Sequence, residues 1–373
     1  RVEAPRMGPR RPPGGPEMHP PVSQDRLSSI VHDTVEAAAR RHVGLAVGAF
    51  CGAATSVHTS GTGGSGRGAL PVDTLFQIGS VTKVFTALAL ADAVVAGELD
   101  LTTPLRALLP EAAAHRHTRM ITLEHLASHT SGLSRLPKGL RRRALRHPSD
   151  PYRDFASEDL VAALAAARPR RAPGRRVRYS NFGMALLGAA LCRHSGMPYE
   201  RLVKTRVTAP LGLTDTVIVP SAAQAARLAV GHSRRRAEVP DWDLGGMPGA
   251  GALRSTVSDQ LALLRAHLDP STSPMPAALA LVQQPHARAN RFVQVALGWH
   301  LSPVRGTSST ALWHNGGTGG SSSYVALLRD ARIGVVVLSN MARPVDPLGA
   351  RLLRRIAEAG PAAYGLPEPP TAS

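Results

Sequence analysis

The feature that most constrains this chain is the placement of its strand-forming segments, which fall at the two ends with a long helix-forming stretch between them. Near the start, Val43, Leu45, Val47 and Ala49 alternate as a half-buried strand does, and a second strand follows near Thr55. The next β-like segments come only at 292–301, 311–315, 323–329 and 333–339, with 330–332 turning the last two into a hairpin. The middle, 101–290, is rich in Ala, Leu and Arg, with Pro-marked breaks and few β-branched runs, and reads as mostly helical. Strands need partners for their backbone groups, so the two ends are expected to meet in one sheet. The fold class predicted is α/β (α+β): an antiparallel sheet flanked by helices, built from both chain ends, with an inserted and mostly helical domain.

Helices to cover that sheet are legible at both ends. Leu27, Ile30, Val31, Thr34, Val35 and Ala38 mark one face of a first helix, an apolar helix spans 81–97 and is closed by Gly97, and a final helix runs over 347–359. The first 24 residues hold seven prolines without apolar periodicity and read as a disordered arm, and 361–373 read as a tail of the same kind. The division expected is an arm over 1–24, a sheet domain from 25–100 plus 291–360, a helical domain over 101–290, and the tail. No internal repeat is visible.

Composition narrows the functional classes. With 43% hydrophobic residues in 373, a sizeable core can be buried. The formal net charge of +18 invites a nucleic-acid reading. Lysine, however, stands only at 83, 138 and 204, so nearly all of the 44 basic residues are arginine. Such a bias, with abundant Ala, Gly and Pro, is what G- and C-rich codons give, and the arginine clusters at 141–143, 168–178 and 234–236 lack interleaved aromatics for base stacking. No nucleic-acid partner is expected. The glycine-rich stretch 61–68 lacks the Gly-Lys-Ser/Thr ending of a phosphate-binding loop and reads as a hairpin loop. No apolar run reaches the ~20 residues of a membrane helix, so no membrane span and a soluble protein are expected. Cys51 and Cys192 lie far apart in apolar settings and are expected to be buried free thiols. The chain begins at Arg1 without a signal pattern, so a removed leader or an incomplete start is expected, which leaves the compartment open.

Three short motifs carry chemistry. In Ile78-Gly-Ser80-Val-Thr-Lys83, a strand and turn feed an apolar helix, so Ser80 sits at the helix N-terminus and Lys83 one turn on along the same face. An ammonium in such surroundings loses hydration, which lowers its pKa and lets it activate a neighbouring hydroxyl. Read alone, the motif equally fits an N-cap serine followed by a snorkelling lysine. In Tyr179-Ser-Asn181, a Pro-Gly turn and an extended segment bring Tyr179 and Asn181 to a loop tip. There a tyrosine can serve as general base if a neighbouring cation lowers its pKa, although a helix N-cap by Ser180 or Asn181 would explain the same residues. In Trp313-His314-Asn315-Gly316-Gly317-Thr-Gly-Gly320, glycines between two strands permit close backbone approach, and an edge strand there could lend an N–H to an oxyanion.

Taken together and in this order, Ser80-x-x-Lys83, Tyr179-Ser-Asn181 and His314-Asn-Gly316 resemble the three active-site motifs of the serine β-lactamase and penicillin-binding superfamily. The likeness is closest to its class C β-lactamase-like group, which includes D-alanyl-D-alanine carboxypeptidases, esterases and D-aminopeptidases. Further stretches resemble that group: Leu126-Ala-Ser-His-Thr-Ser-Gly-Leu133, Pro210-Leu-Gly-Leu-Thr-Asp-Thr216, Gly249-Ala-Gly-Ala-Leu-Arg-Ser-Thr256 and Gly334-Val-Val-Val-Leu-Ser-Asn340. The resemblance implies Ser80 as acylated nucleophile, Lys83 as its proton partner and Tyr179 as general base on attack and proton relay to the leaving group. It implies Asn181 as the group orienting Lys83 and the substrate amide, with His314 and Gly316 on the substrate. The oxyanion hole would be the backbone N–H groups of Ser80 and Gly317. No metal or cofactor is implied. The reaction expected is hydrolysis of an amide or ester through a Ser80 acyl-enzyme, carboxypeptidase- or peptidase-like, with an esterase, a true β-lactamase or a silent peptide-binding member as alternatives.

Three departures reshape the pocket: His314 stands where many relatives have Lys, Asn315 replaces the usual Thr, and Ser321 stands where an aromatic is common. A neutral imidazole would hold a substrate carboxylate less firmly than an ammonium. His125 and His129, spaced as two metal ligands on one helix would be, lack the flanking Glu of a zinc-binding helix and are expected to be structural.

Overall fold

In the computed structural model, which describes residues 22–359 apart from 306 and 308, strands from the two ends of the chain pair in one sheet. The expected arm, save its last three residues, and the expected tail lie outside the described residues. The strands are β1 (Gly44–Cys51), β2 (Ala54–Gly61), β3 (Phe76–Gln77), β4 (Gly231–His232), β5 (Glu238–Val239) and β6 (Arg254–Ser255), then β7 (Ala287–Arg288), β8 (Gln294–Val295), β9 (His300–Pro303), β10 (Thr310–Gly317), β11 (Ser322–Leu328) and β12 (Ile333–Ser339). Eight of them form an antiparallel sheet in the order β2-β1-β12-β11-β10-β9-β8-β7. The strand nearest the N-terminus thus pairs with the last one, Leu45 opposite Ser339 and Cys51 opposite Ile333.

The sheet is mixed in helical cover rather than in strand direction. β1, β11 and β12 are buried along their whole length, which requires cover on both faces. On one face Leu45, Val47, Val335 and Val337 pack with Leu27, Ile30 and Val31 of α1 (Gln24–Ala39) and with Leu352 and Ile356 of the C-terminal helix Asp346–Ala359. On the other face Ala46, Phe50, Val336 and Leu338 join the larger core, with α2 (Thr82–Val95) and the Val257–Leu268 helix. Gly48 lets that helix approach, since a Cβ there would lie 2.4 Å from Val257 Cγ1. Each fully buried Leu or Val in these layers contributes about 1.5–3 kcal/mol relative to exposure.

α2 is apolar all round because it runs through the centre of that core: every residue from Thr82 to Ala91 is buried. It surfaces at Asp92, where Arg206 pairs with the carboxylate at 2.9 Å, and ends before Gly97, whose φ of +72° takes the left-handed turn. A helix held on all sides is a rigid mount for what projects from its N-terminus.

Local differences from the sequence reading have physical causes. The segment expected as one strand over 292–301 is split into β8 and β9, because the chain turns back at 296–299, Ala296 N–H donating to the Trp299 carbonyl at 2.9 Å. The 61–68 stretch, by contrast, is the hairpin loop expected: it follows β2 and closes through an antiparallel bridge between Thr62 and Ala69. Both cysteines are free, Cys51 buried and Cys192 only half-buried, and loss of hydration pushes the Cys192 thiol up to about 11. Among the described residues no helix is long and apolar enough to cross a membrane.

Candidate active site

β3 leads into a single 3₁₀ turn, Gly79–Val81, and then into α2, so the chain reverses sharply at Ser80. The turn needs Gly79: its φ is +50°, and a Cβ there would lie 2.7 Å from the Gly317 backbone nitrogen. β10 therefore presses its Gly316–Gly317 end directly against the Ser80 turn. Gly316 is equally confined, since its Cβ would lie 2.0 Å from the Ile78 carbonyl oxygen. That carbonyl is held from the other side by the Ser323 hydroxyl at 2.7 Å. β9 pairs with β10 only as far as Trp313, which leaves the edge from His314 to Gly317 free to face Ser80.

Lys83 is fully buried, with its Nζ 2.8 Å from Ser80 Oγ and donating to the Ala250 carbonyl at 2.6 Å. Burial holds its pKa well below the ordinary lysine value, and the Arg135 guanidinium adds to the effect. The hydrogen-bond partners of Lys83 among the described residues are thus Ser80 and Ala250, the latter from the Gly249–Thr256 stretch. Asn181 is the first residue of the Asn181–Ser195 helix, and its Oδ1 is buried without a hydrogen-bond partner among the described residues. Ser180 caps that helix, accepting from Gly183 N–H at 2.8 Å.

Tyr179 sits above the amine, its ring centroid 5.1 Å from Lys83 Nζ and 5.3 Å from Arg135 Cζ. The sequence reading made a general-base role conditional on a neighbouring cation lowering this phenol. Burial wins instead and pushes it up to about 12, with the Ser80 hydroxyl and Arg135 opposing the shift.

Three imidazoles surround the tyrosine. His129 lies 4.5 Å from its ring, His300 and His314 each 6.3 Å, and His300 stacks on His314 at 5.1 Å. Burial keeps all three on the neutral side: His300 is lowered to about 4, and His129 and His314 fall well below the ordinary histidine value. His314 Nδ1 is 2.7 Å from the Asn315 carbonyl, and its Nε2 has no hydrogen-bond partner among the described residues. Asn315 donates to the Asp346 carboxylate. His125 and His129 do not share a helix face, because the helix ends at Ala127 and His129 has φ +59°. Among the described residues no group of three or more His, Cys, Asp or Glu is set to hold a metal ion.

A cleft of about 630 Å³ opens here, lined by Ser80, Tyr179, Asn181, His300, Gly316 and Gly317, with Arg135, Arg234 and Asp346 as the charged groups among its described lining residues. The structure thus brings together the catalytic, substrate-binding and oxyanion candidates named from the sequence, His314 lying just behind the surface. Sequence reasoning missed Ala250, His300, Arg135 and Asp346. Ala250 alone lay within a stretch of family likeness; the others carry no local signature, since only the fold brings them to the cleft.

Comparison with known proteins places this geometry. The family model described as beta-lactamase matches residues 29–359. The chain is 29% identical over 304 residues to a beta-lactamase of Escherichia coli K12, covering 73% of this chain and 76% of that protein. It is 29% identical over 282 residues to the D-alanyl-D-alanine-carboxypeptidase/endopeptidase AmpH of the same organism, covering 72% and 71%. The crystal structure of a class C beta lactamase from Rhodobacter sphaeroides matches with a TM-score of 0.77 at 24% identity, covering 89% of this chain and 99% of that one, and shows the shared fold. The chain belongs to the beta-lactamase family, and it is a serine hydrolase of the class C-like type.

Proposed function

We propose that the chain hydrolyses an amide or ester through an acyl-enzyme on Ser80, with a peptide-type, D-alanyl-D-alanine carboxypeptidase-like substrate as the main reading. The observation that carries it is the buried Lys83 amine 2.8 Å from the Ser80 hydroxyl. An amine whose pKa burial lowers can take the serine proton as Oγ attacks the carbonyl carbon. The oxygen turns negative as the tetrahedral centre forms, and the N–H groups of Ser80 and Gly317 stabilise it there. Tyr179, held protonated by its raised pKa, gives its proton to the leaving group and regains one from Lys83. Water then attacks the Ser80 ester as Lys83 takes its proton, and Lys83 returns that proton to Ser80 Oγ as the acyl–oxygen bond breaks and the acid product leaves. Asn181 and Gly316 hold the substrate amide, and Arg135 and Arg234 are the cations available to a substrate carboxylate, since His314 is neutral. The sheet domain (25–100 with 291–360) and the helical domain (101–290) would each supply one side of the cleft.

A specific observation favours carboxylesterase action as a second reading: Asp346 and Asn315 place a carboxylate where the strand meets the cleft, which disfavours an anionic substrate. Intact mass after incubation with benzylpenicillin tests the proposal, with Ser80→Ala in parallel. A persistent adduct absent from the variant supports the carboxypeptidase-like reading, and consumption of penicillin without an adduct indicates a β-lactamase. If neither occurs, Ser80-dependent turnover of a neutral ester moves the assignment to an esterase. Turnover that survives Ser80→Ala overturns the acyl-enzyme, and binding without any turnover identifies a silent member.

A further inference from the structure

We propose that the loop between the Ser157–Ala165 and Asn181–Ser195 helices builds a second binding site, for a small molecule carrying several phosphate groups. A cavity of about 630 Å³ opens there, and Lys138 and all six arginines between 168 and 178 line it. Among its described lining residues there is no Asp or Glu. Leu133, Ala163, Ala167 and Phe182 give it an apolar floor.

Codon bias accounts for how many arginines the chain has, but not for the gathering of six of them with Lys138 around one cavity. Carboxylates meet some of the arginines elsewhere: Asp159 pairs with Arg143, Asp92 and Glu98 with Arg206, Asp215 with Arg227, and Asp241 with Arg254. Among the described residues none of the seven cations at this cavity has such a partner. Arg168 donates instead to the Ala165 and Ala167 carbonyls, which fixes it in place. Gathering seven like charges over a low-dielectric floor costs self-repulsion, and that repulsion is relieved when a multivalent anion enters. Guanidinium forks match phosphate oxygens two bonds at a time, which favours phosphate over a spherical anion. The volume is that of a small-molecule site. Phe182, the one aromatic in the lining, is buried and offers no surface for a base to stack on, so recognition rests on the phosphates.

The cavity shares no lining residue with the catalytic cleft, yet the two are back to back. Ser134, Arg178 and Phe182 face the cavity, while their chain neighbours Arg135, Tyr179 and Asn181 face the cleft. The loop is pinned to the same wall, Gly174 N–H donating to the Thr130 carbonyl at 2.9 Å and Arg178 N–H to the His129 carbonyl at 2.8 Å.

Calorimetric titration with inorganic tripolyphosphate tests this without requiring turnover, and Ser80→Ala should bind it as the parent does. The expected result is saturable one-to-one binding that weakens as salt rises. Arg171→Gln, Arg175→Gln and Arg176→Gln combined should weaken it by about tenfold or more. Arg40→Gln, Arg41→Gln and Arg351→Gln remove the same charge from exposed positions elsewhere and should leave it within about twofold. Equal weakening by both triple variants, absence of saturable binding at low salt, or tighter binding of a single-stranded oligonucleotide than of tripolyphosphate would each overturn the proposal.

Discussion

The two walls of the catalytic cleft are built on different principles. On the helix wall, Ser80 and Lys83 project from a turn and a helix packed on all sides, and the amine has two partners within hydrogen-bond range. On the strand wall, β10 brings backbone to within contact of that turn, but its side chains are less committed: His314 Nε2 has no partner among the described residues, and Asn315 is drawn toward Asp346. The helix wall follows the family motif residue for residue, and the departures at His314, Asn315 and Ser321 all lie on the strand wall. In the reading developed above, the first wall holds the chemistry and the second sets what enters.

The comparison breaks most directly at Lys83. Lys83→Met keeps the length and apolar stem of the side chain and removes the amine, so a folded enzyme should lose acylation by about 10²–10⁴-fold. The rate of Ser80 adduct formation measures it. Acylation within tenfold of the parent would move the proton acceptor elsewhere on the wall.

On the strand wall the backbone itself should matter more than its side chains. Gly316→Ala forces a Cβ toward the Ile78 carbonyl and should cost about 1–3 kcal/mol of stability, with loss of activity as β10 is pushed from Ser80. At Gly317 an added Cβ would meet, among the described residues beyond its chain neighbours, the Ser321 carbonyl oxygen at an ordinary 3.7 Å, so Gly317→Ala should change stability by less than about 0.5 kcal/mol. Denaturant melts of the two variants check the contrast, and equal losses would refute this account of how tightly β10 is seated.

Acid should separate the walls as well. His300 on the strand wall is lowered to about 4, as are the structural His42 and His267, while His314 and His129 are held well below the ordinary value. Each is neutral when folded and takes up a proton near pH 6.5 when unfolded. The unfolded state therefore binds more protons between about pH 6.5 and 4, and stability falls as pH drops through that window. Each group contributes up to about 1.4 kcal/mol per pH unit. Melts from pH 7 to 4 should show the fall, and His300→Gln should reduce its slope. An unchanged slope in that variant would mean His300 does not titrate with folding.

What was legible in the sequence follows the same division. The six α1 positions expected to face the core are the six that are buried, because one amphipathic face decides a surface helix. Ser80 and Lys83 could be read as a pair because three residues of helix set their separation. The direction of the Tyr179 shift could not be read, because it depends on how much water the assembled fold removes from the phenol, and that outweighs the cation beside it. Nor could Ala250, 167 residues from Lys83, be named as its partner: no periodicity reports a contact at that separation. The splitting of 292–301 was hidden for a related reason. Gly298 turns the chain against α2, where a Cβ would lie 2.7 Å from the Lys83 carbonyl oxygen, and a glycine among strand-forming residues does not announce what it packs against.

The smallest effect sharpens the comparison most, because it concerns selectivity alone. Asp346 touches no reacting atom; its carboxylate accepts from Asn315 at the strand end of the cleft, and burial raises its pKa above the usual carboxylate value. While ionised it repels an anionic substrate and leaves a neutral ester untouched. Asp346→Asn keeps the shape and removes the charge. Across a few ångströms of partly solvated cleft that repulsion amounts to about 1 kcal/mol, so acylation by a carboxylate-bearing substrate should rise about fivefold relative to a neutral ester. The preference should narrow on acidification, since protonation of Asp346 makes the parent resemble the variant. Paired acylation rates for benzylpenicillin and a neutral ester, followed with pH in both proteins, measure it. A ratio that moves by less than twofold, or moves equally in the two proteins as pH falls, would assign anion selection to Arg135 and Arg234 instead.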